Sequence, residues 1–452
     1  MTDLIIIGAG PGGYETAVKA AKMGKQVVVI EQSHLGGTCL NEGCIPTKCL
    51  CKSAEVLEEV REATAFGVDV SNYNFDLSKA IERKNNVVAQ LISGIELLMK
   101  TPGVTLMQGK AQLKDSHTVV VENNGEQTDV SAENIIIATG SVSKFLPIEG
   151  NHSRDVVTST ELLQRTSLPR HLCVIGGGVI GLEFASIFRS FGSEVTVVEF
   201  CKEILPNLDS DAAKRLRLSL KKKGITFHTG AAVTAIVEKD DDTSDVVFTE
   251  KGKENTLNAD LVLMAVGRAA NVGSLNLADV GIDFSPRGIA VDDCFMTNVP
   301  GIYAIGDVNG ICPLAHAATY QGYRVLQHLY EPEAEPINTK LVPSAVFTVP
   351  ELACVGESED SLKAQETPYE AMKYFYRANG KSLAQGSDEG FVKILADAQG
   401  KVLGCQILGL HASDLIHEVT LLMSLGGTTE QLANTIHAHP TLSEVVMKAV
   451  EK

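Results

Sequence analysis

The sequence predicts an α/β protein that contains one strand–turn–helix–strand unit twice, followed by a separate region of mixed strands and helices. A glycine-rich turn follows a short apolar strand near the start of the chain, and a second such turn begins at residue 176. In both places the next strand ends in a glutamate, at the same distance from the first glycine of the turn. From about residue 339 onward no such turn occurs, and strand-like runs such as 391–395 are mixed with helix-like runs such as 413–425.

The first unit covers residues 4–31, and its turn reads Gly8-Ala9-Gly10-Pro11-Gly12-Gly13. In turns of this kind the first glycine makes the bend, the second lets a pyrophosphate approach the backbone, and the third lets the helix pack on the strand. N–H groups at the helix N-terminus bind the pyrophosphate, and the carboxylate that ends the second strand binds a ribose. The residues predicted to bind a dinucleotide here are Gly8, Gly10, Gly13 and Glu31.

The second unit covers residues 172–199 and repeats the plan with Gly176, Gly178, Gly181 and Glu199. Two units in one chain predict two Rossmann-like domains and two dinucleotides. A carboxylate at position 199 accepts a hydrogen bond from a free 2′-hydroxyl and repels a 2′-phosphate, which favours NAD over NADP. The alternative is that Lys202 compensates for a 2′-phosphate.

Two cysteines, Cys39 and Cys44, come after the first unit and are five residues apart. In a regular helix their Cα atoms would be roughly 8–9 Å apart, whereas a disulfide needs about 4.4–6.8 Å. Either the thiols are unbonded, or Gly43 and Pro46 distort the backbone and allow a redox-active disulfide. Lys48, one helical turn after Cys44, is either beside a flavin or solvated.

The chain ends with a candidate acid–base pair. Pro440 follows His439, and Glu444 can reach the imidazole if a helix begins at Thr441. A histidine held by a carboxylate is suited to act as a base for thiols, because the thiolate is the nucleophile. Glu444 also fits a capping box with Thr441. The sequence hardly distinguishes His437 from His439 as the base.

Composition excludes several classes of function. The net charge of −17 disfavours nucleic-acid binding. No apolar run approaches the ~20 residues of a membrane helix. A strand starting near residue 4 leaves no room for a leader, so we expect a cytoplasmic protein or a mature form already stripped of one. The cysteine spacings match no zinc site, and we predict no metal; Cys49, Cys51, Cys201 and Cys312 receive no function.

Taken together, these motifs resemble those of the flavin-dependent pyridine nucleotide–disulfide oxidoreductases. The likeness runs from the first glycine turn through the cysteine pair, Ala138-Thr139-Gly140-Ser141, the second turn, 297–307 and Leu314-Ala315-His316 to His437–Glu444. One departure is that Gly267-Arg268-Ala269-Ala270-Asn271 lacks the proline that the family often has, which we expect to soften a loop without removing a contact.

The resemblance implies FAD and NAD as cofactors and adds binding residues to those found above. For FAD it adds Thr38, Lys48, Ala111, Thr139, Gly140, Asp307 and Ala315. For NAD it adds Val233 and Gly267, and it places Ile180 and Glu183 beside the nicotinamide, with Glu183 facing the lysine on the flavin side.

The resemblance also implies an α/β fold with two Rossmann-like dinucleotide-binding domains plus an α+β dimer-interface domain. The expected domains are FAD-binding (1–147), NAD-binding (148–268), central, completing the FAD site (269–338), and interface (339–452). A homodimer is expected, in which His439, oriented by Glu444, is the base for the Cys39–Cys44 pair of the other subunit.

The activity implied by the resemblance is oxidation of protein-bound dihydrolipoyl groups, with electrons passing through Cys39–Cys44 and FAD to NAD⁺. Partners would be lipoyl-bearing proteins of a 2-oxo acid dehydrogenase or glycine cleavage complex; the sequence does not say which. Glutathione reductase, mercuric reductase and transhydrogenase are rival activities, disfavoured respectively by Glu199, by the absence of a C-terminal cysteine pair, and by the presence of Cys39–Cys44. A flavoprotein that only docks on a complex is a rival of another class.

Overall fold

The computed structural model describes residues 2–451, which fall into two compact units. The first unit contains the residues up to Cys49, Lys79–Lys144 and Gly267–Thr339. The second contains Leu50–Ser78, Phe145–Val266 and the residues from Lys340 onward. The four-domain division implied by the resemblance is finer than these two units and stays a prediction.

The helices and strands have the following bounds in chain order. The strands are β1 Thr2–Ile7, β2 Val27–Glu31, β3 Val104–Gln108, β4 Lys110–Leu113, β5 Thr118–Asn123, β6 Glu126–Ile137, β7 Ser141–Ser143, β8 Val156–Val157, β9 His171–Ile175, β10 Glu194–Glu199, β11 Thr226–Thr229, β12 Ala231–Glu238, β13 Ser244–Glu250, β14 Lys253–Ala259, β15 Leu261–Met264, β16 Arg268–Ala270, β17 Phe284–Ser285, β18 Gly288–Ile289, β19 Ile302–Ala304, β20 Ser344–Val346, β21 Glu351–Gly356, β22 Glu370–Phe375, β23 Phe391–Ala396 and β24 Val402–Gly409. The α-helices are α1 Pro11–Lys22, α2 Gly37–Asn41, α3 Cys44–Glu62, α4 Leu77–Leu98, α5 Ser159–Leu162, α6 Val179–Phe191, α7 Ser210–Lys222, α8 Leu277–Val280, α9 Ala315–Tyr330, α10 Glu359–Ala364, α11 Gly380–Ala384, α12 Ala412–Ser424, α13 Thr429–Ala433 and α14 Glu444–Lys448.

The first unit is built on a seven-stranded sheet in the order β3-β2-β1-β6-β5-β4, with β19 also paired to β6. Within this sheet the strands β3, β2, β1, β6 and β19 are parallel to one another. Ile5 and Ile7 belong to the core on one face of β1, and Leu4 and Ile6 to the core on the other. Burial on both faces explains why β1 is a continuous apolar run.

The second unit contains a parallel sheet, β11-β10-β9-β15-β8, and an antiparallel one, β12-β13-β14. Val174 of β9 is in register with Val197 of β10 and Leu263 of β15. Helix α6 leads from β9 to β10, as the sequence predicts for the second dinucleotide unit. The carboxyl ends of parallel strands meet at one edge, which is where open α/β sheets bind ligands.

The last sheet of the second unit is antiparallel, in the order β20-β21-β24-β23-β22, and α12 packs on β21 and β24. The strand predicted at 391–395 is β23, and the helix predicted at 413–425 is α12. Strand β23 carries the fully buried Lys393, whose Nζ lies 2.6 Å from an oxygen of Asp209 and 2.8 Å from one of Glu359. These two carboxylates and the nearby Asp211 are grouped as metal ligands would be, but Lys393 supplies the cation.

Within residues 2–451, no helix combines the length and the apolar character needed to span a bilayer.

Candidate active site

The first glycine turn has the shape predicted for it. Gly8 has φ +105°, and a Cβ there would lie 2.4 Å from the carbonyl oxygen of Ala138. A Cβ on Gly13 would lie 1.9 Å from the carbonyl oxygen of Gly8. Gly10 is the N-cap of α1, with Pro11 in the first turn, where no backbone donor is needed. Only glycine therefore fits at position 8, where the chain bends, and at position 13, where α1 packs against the turn.

Glu31 is held in place by the backbone around that turn. Its Oε2 accepts a hydrogen bond from the N–H of Ala9 at 2.7 Å, and its Oε1 accepts one from Ser33 at 2.7 Å. The residue is 8% exposed. Its carboxylate is therefore fixed beside the phosphate-binding turn, where a ribose hydroxyl can donate to the remaining lone pairs.

The second turn repeats this geometry. Gly176 has φ +109°, and a Cβ there would lie 2.4 Å from the carbonyl oxygen of Ala265. A Cβ on Gly181 would lie 2.1 Å from the carbonyl oxygen of Gly176, and Gly178 is the N-cap of α6. Glu199 accepts from the N–H of Gly177 at 2.5 Å and from that of Cys201 at 2.6 Å. The internal duplication thus extends to individual hydrogen bonds.

Cys39 and Cys44 are joined by a disulfide, and their Cα atoms are 4.6 Å apart. This distance is within the range for disulfides and settles the alternative that the sequence left open. Helix α2 ends at Asn41 and α3 begins at Cys44, so the two sulfurs lie on either side of a helix break. The break lies at Glu42 and Gly43, whereas Pro46 is accommodated in the first turn of α3.

The segment that carries the cysteines is attached to the first glycine turn. The N–H of Gly36 donates to the carbonyl oxygen of Ala9 at 2.8 Å. Gly36 and Gly37 have φ +88° and +55°, and a Cβ on Gly37 would lie 2.8 Å from the Cα of Gly10. This close approach places Thr38 and the disulfide next to the turn. Half-buried Lys48 lies one helical turn after Cys44 in α3.

Three more predicted residues meet at the carboxyl ends of the neighbouring strands β6 and β19. Thr139 and Gly140 follow β6, and Asp307 follows β19. The Oγ of Ser141 donates to Asp307 at 2.5 Å. The structure therefore brings these residues together at the edge of the sheet that holds the first glycine turn.

Arg268, whose contacts the sequence does not reveal, holds this edge. Its Nε donates to the Oγ of Ser141 at 2.7 Å and its Nη2 to the carbonyl oxygen of Ser141 at 2.6 Å. Burial lowers the pKa of the Arg268 guanidinium, while Asp307 and Glu42 act in the opposite direction. Asn271 also donates its N–H to the carbonyl oxygen of Gly140 at 2.9 Å. The loop without the family's proline is thus fixed by hydrogen bonds.

Ala111 and Ala315 reach the same site through backbone and helix contacts. The N–H of Gly109 donates to the carbonyl oxygen of Glu31 at 2.9 Å, which brings β4 and its buried Ala111 near the ribose-binding carboxylate. Helix α9 begins at Ala315 and packs along α1. The N-termini of α1 and α9 both carry partial positive charge and N–H groups that the helix itself does not use, so together they favour a bound anion.

In the second unit, the residues expected near the nicotinamide lie on α6. Ile180 is half-buried and Glu183 is 4% exposed. The carboxylate of Glu183 accepts a hydrogen bond from the N–H of Phe347 at 3.0 Å. Val233 is half-buried in β12. Gly267 belongs to the first compact unit and is exposed.

His439 and Glu444 form the predicted pair. The Nδ1 of His439 lies 3.0 Å from Oε1 of Glu444, and Oε2 accepts from the N–H of Thr441 at 2.8 Å. These two contacts lower the pKa of the Glu444 carboxyl, the Thr441 N–H more than His439. Helix α14 begins at Glu444 with Ser443 as its N-cap, two residues later than a capping box from Thr441 requires. A carboxylate only accepts, so Nδ1 carries a proton and Nε2 is left to act as a base.

His437 is excluded as that base. Its Nδ1 lies 2.8 Å from the carbonyl oxygen of Thr435, and its Nε2 lies 2.7 Å from Oε1 of Glu418. Both partners are acceptors, and the side chain is 6% exposed, whereas that of His439 is 79% exposed. His437 therefore has no nitrogen available to a substrate, a distinction the sequence could not make.

Two family models match the chain. The pyridine nucleotide-disulphide oxidoreductase model matches residues 2–322, and the dimerisation domain model of the same group matches residues 342–450.

Curated relatives match along the whole chain. A dihydrolipoyl dehydrogenase of Bacillus subtilis strain 168 is 40% identical over 454 residues, covering 100% of this chain and 96% of the relative. A dihydrolipoyl dehydrogenase of Haloferax volcanii is 40% identical over 459 residues, with the same coverage.

Solved structures match along the whole chain as well. LpdA of Mycobacterium tuberculosis has a TM-score of 0.92 at 28% identity, covering 100% of this chain and 99% of the other. The Cu(II) complex of the HOCl-induced flavoprotein disulfide reductase RclA of Escherichia coli has a TM-score of 0.89 at 30% identity, covering 99% and 98%.

Proposed function

We propose that this chain, which belongs to the pyridine nucleotide-disulphide oxidoreductase family, acts as a dihydrolipoyl dehydrogenase that uses FAD and NAD⁺. The observation that carries the proposal is the Cys39–Cys44 disulfide, which is attached to a dinucleotide-binding turn through Gly36. A dithiol–disulfide couple at that place accepts two electrons from a substrate dithiol. The full-length identity with curated dihydrolipoyl dehydrogenases supports the same activity.

The residues present fit both cofactors. A Cβ would collide with backbone at Gly8 and Gly13 in the first turn and at Gly176 and Gly181 in the second. At the middle glycines, Gly10 and Gly178, a Cβ would meet nothing closer than 3.9 Å, which leaves the approach that a pyrophosphate would need. Asp307, Ala111 and Ala315 would complete the FAD site, with Thr38, Thr139, Gly140 and Lys48. Gly176, Gly178, Gly181 and Glu199 would hold NAD, with Ile180, Glu183, Val233 and Gly267 lining its site. When bound, FAD would supply the two-electron transfer chemistry that links the dithiol to NAD⁺.

The protein's own residues carry the thiol chemistry. The Nε2 of His439 takes the proton from one dihydrolipoyl thiol, and the thiolate attacks the sulfur of Cys39. The Cys39–Cys44 bond breaks, and Cys44 leaves as a thiolate. His439 passes the first proton to solvent and then takes the proton of the second substrate thiol. The new thiolate attacks the substrate sulfur of the mixed disulfide, the bond from that sulfur to Cys39 breaks, and Cys39 leaves as a thiolate, so the lipoyl disulfide is released and both cysteines are reduced. Lys48 stabilises negative charge beside the thiolate and the flavin.

The base is proposed to come from a second copy of the chain. The match of residues 342–450 to a dimerisation domain supports a homodimer. The imidazole of His439 is mostly exposed, so it is available to a neighbouring subunit. His439 of each chain would then serve the disulfide of the other.

The partners we propose are lipoyl-bearing proteins of a 2-oxo acid dehydrogenase or glycine cleavage complex, in the cytoplasm. Dihydrolipoyl groups are carried on such proteins, and the net charge of −17 disfavours nucleic acid as an alternative partner.

The test is to mix purified protein with dihydrolipoamide and NAD⁺ and to follow NADH formation, with glutathione and NADP⁺ in parallel reactions. Rapid NADH formation with dihydrolipoamide and NAD⁺ only would support the proposal. A yellow, FAD-bound protein that is inactive with dihydrolipoamide would overturn it, and would leave a disulfide reductase with another substrate.

A further inference from the structure

Phe347 makes a hydrogen bond through each of its backbone polar groups, one on either side. Its N–H donates to Oε1 of Glu183 at 3.0 Å. Its carbonyl oxygen accepts a hydrogen bond from the Sγ of Cys51 at 3.5 Å. A chain of contacts therefore runs from a thiol on α3, through one residue of backbone, to a carboxylate on α6.

The contact with Glu183 involves a buried carboxyl group. Glu183 is 4% exposed and lies five residues after Gly178, the N-cap of α6. A buried carboxylate must be hydrogen-bonded, and its donors decide which way its oxygens point. Because a backbone N–H supplies one of these bonds, the direction of Oε1 depends on the position of the Phe347 backbone.

The two sides of Phe347 are not equally constrained by the fold. Before it, Val346 ends β20 and is in register with Leu352 of β21. After it, the chain leaves the sheet through buried Thr348, whose hydroxyl donates to the carbonyl oxygen of Pro350 at 2.7 Å. The carbonyl of Phe347 lies beyond the last strand pair, so its direction depends on a partner outside the sheet. Cys51 is one such partner.

The position of Cys51 is fixed by more than this bond. Further along the same segment, Arg61 of α3 donates to the carbonyl oxygen of Ser190, near the end of α6, at 2.6 Å. Beyond α3, the ring of Phe75 stacks on that of Phe191 with centroids 4.4 Å apart. Cys51 is therefore linked, through Phe347, to the beginning of α6, and Arg61 contacts its end. These two links keep residues 51–61 of α3 alongside α6.

We propose that Cys51 and Phe347 are positioning residues for the nicotinamide site. Cys51 fixes the Phe347 carbonyl, and the Phe347 N–H fixes Glu183 in the orientation that the bound nicotinamide requires. Neither residue is proposed to touch the reacting atoms. The inference rests on the proposed function, since it takes the nicotinamide to bind beside Ile180 and Glu183.

The test compares Cys51→Ala, Cys51→Val and Cys51→Ser in the FAD-bound enzyme. Alanine and valine both remove the donor, and valine also keeps the volume filled. Serine keeps a donor. Cys294→Ala is the control, because the Cys294 thiol accepts a hydrogen bond from Arg324 of the first unit and does not belong to the Phe347 contacts. The readouts are the dissociation constant for NADH, taken from flavin reduction at varied NADH, and the rate of flavin reduction by dihydrolipoamide.

We expect alanine and valine to weaken NADH binding roughly three- to tenfold, the size of one lost neutral hydrogen bond. Serine should restore binding to within about twofold of the parent. Flavin reduction by dihydrolipoamide should be unchanged in all variants. Unchanged NADH binding in both alanine and valine would overturn the inference, as would a loss of both half-reactions together with a lower melting temperature.

The two half-reactions also separate this inference from the proposed function. Failure of dihydrolipoamide to reduce the parent enzyme would contradict the proposed function alone. The NADH titration would still report on Cys51, because it needs no lipoyl substrate.

Discussion

The Nδ1 of His439 lies 3.0 Å from Oε1 of Glu444, and the His439 side chain is 79% exposed. Replacing this histidine with glutamine removes the proposed base but keeps a polar side chain of similar size. We expect kcat with dihydrolipoamide to fall by about 10²–10⁴, the usual contribution of a general base. Steady-state NADH formation measures it.

Flavin reduction by NADH is the control for this variant, because no thiol is deprotonated when NADH donates the hydride. His437→Gln should have a smaller effect than His439→Gln, since both nitrogens of His437 are engaged by Thr435 and Glu418. Full turnover by the His439→Gln variant would exclude it as the base.

Glu444 should make the loop before α14 sensitive to acid. The Thr441 N–H first, and His439 second, lower the pKa of this carboxyl. A carboxyl whose pKa is lowered by folding stabilises the folded state above its unfolded pKa, and that stabilisation is lost as the pH falls through the lowered folded value. The difference in unfolding free energy between parent and Glu444→Gln should therefore be largest at neutral pH and shrink in acid. Denaturant titrations over a pH series would show this; a constant difference would contradict it.

Cys44→Ser should abolish turnover with dihydrolipoamide while leaving a yellow protein. The disulfide is lost, but the first glycine turn and Glu31 do not depend on the Cys44 sulfur. Flavin absorbance gives the FAD content, and binding to a lipoyl-bearing complex gives docking. A protein whose role is docking alone would keep all of its function in this variant, whereas the proposed relay loses its activity.

Glu199→Ala should change which nicotinamide nucleotide is preferred. The carboxylate is fixed by the N–H groups of Gly177 and Cys201 and repels a 2′-phosphate. We expect the KM for NAD⁺ to rise roughly tenfold, the loss of about 1.4 kcal/mol, and the ratio of kcat/KM for NADP⁺ to that for NAD⁺ to increase. The variant Lys202→Ala tests the alternative that Lys202 compensates for a 2′-phosphate. In that case the parent enzyme would use NADP⁺ well, and this variant would not.

Lys393→Met should destabilise the second unit. Asp209 would be left buried and without its main cation, since its side chain is 1% exposed and lies 2.6 Å from Lys393. Breaking a buried pair in this way costs about 3–5 kcal/mol. Chemical denaturation measures it, and Asp209→Asn in the same chain should recover part of the loss.

The matched control is Lys222→Met, because Lys222 pairs with Glu389 at 3.4 Å and is 77% exposed. Removal of an exposed pair should cost less than about 1 kcal/mol. Equal losses in the two lysine variants would show that burial does not set the contribution of Lys393.

The sequence was most informative where backbone sterics leave one solution. A Cβ on Gly8 or on Gly176 would lie 2.4 Å from a carbonyl oxygen, so the turns could be predicted from the order of glycines alone. Long-range side-chain contacts could not be read in this way. Arg268 meets Ser141 across 127 residues, and Lys393 meets Asp209 across 184. Lys393 stands in an apolar run, and nothing local to it indicates its partners.

The Cys39–Cys44 bond lies between these cases. The spacing of the two cysteines excludes a disulfide in a continuous helix, so the outcome depended on where α2 ends and α3 begins. That boundary is set at Glu42 and Gly43 by contacts that no spacing rule contains; the Asn41 side chain, for example, donates to the carbonyl oxygens of Leu35 and Gly37 at 2.9 Å.

The two nucleotide units share their turn and their ribose-binding glutamate, and they differ in the segment after the second strand. After the nucleotide unit at residues 4–31, the Gly36 N–H donates to the Ala9 carbonyl oxygen, which brings the chain back to the first glycine turn. The disulfide follows a few residues later, at Cys39 and Cys44. That attachment uses main-chain groups, which every sequence has, and two glycines with positive φ. An electron relay is therefore an addition to a nucleotide-binding module, made without altering the module. The same loop is a natural starting point for building a redox couple into other proteins that contain this unit.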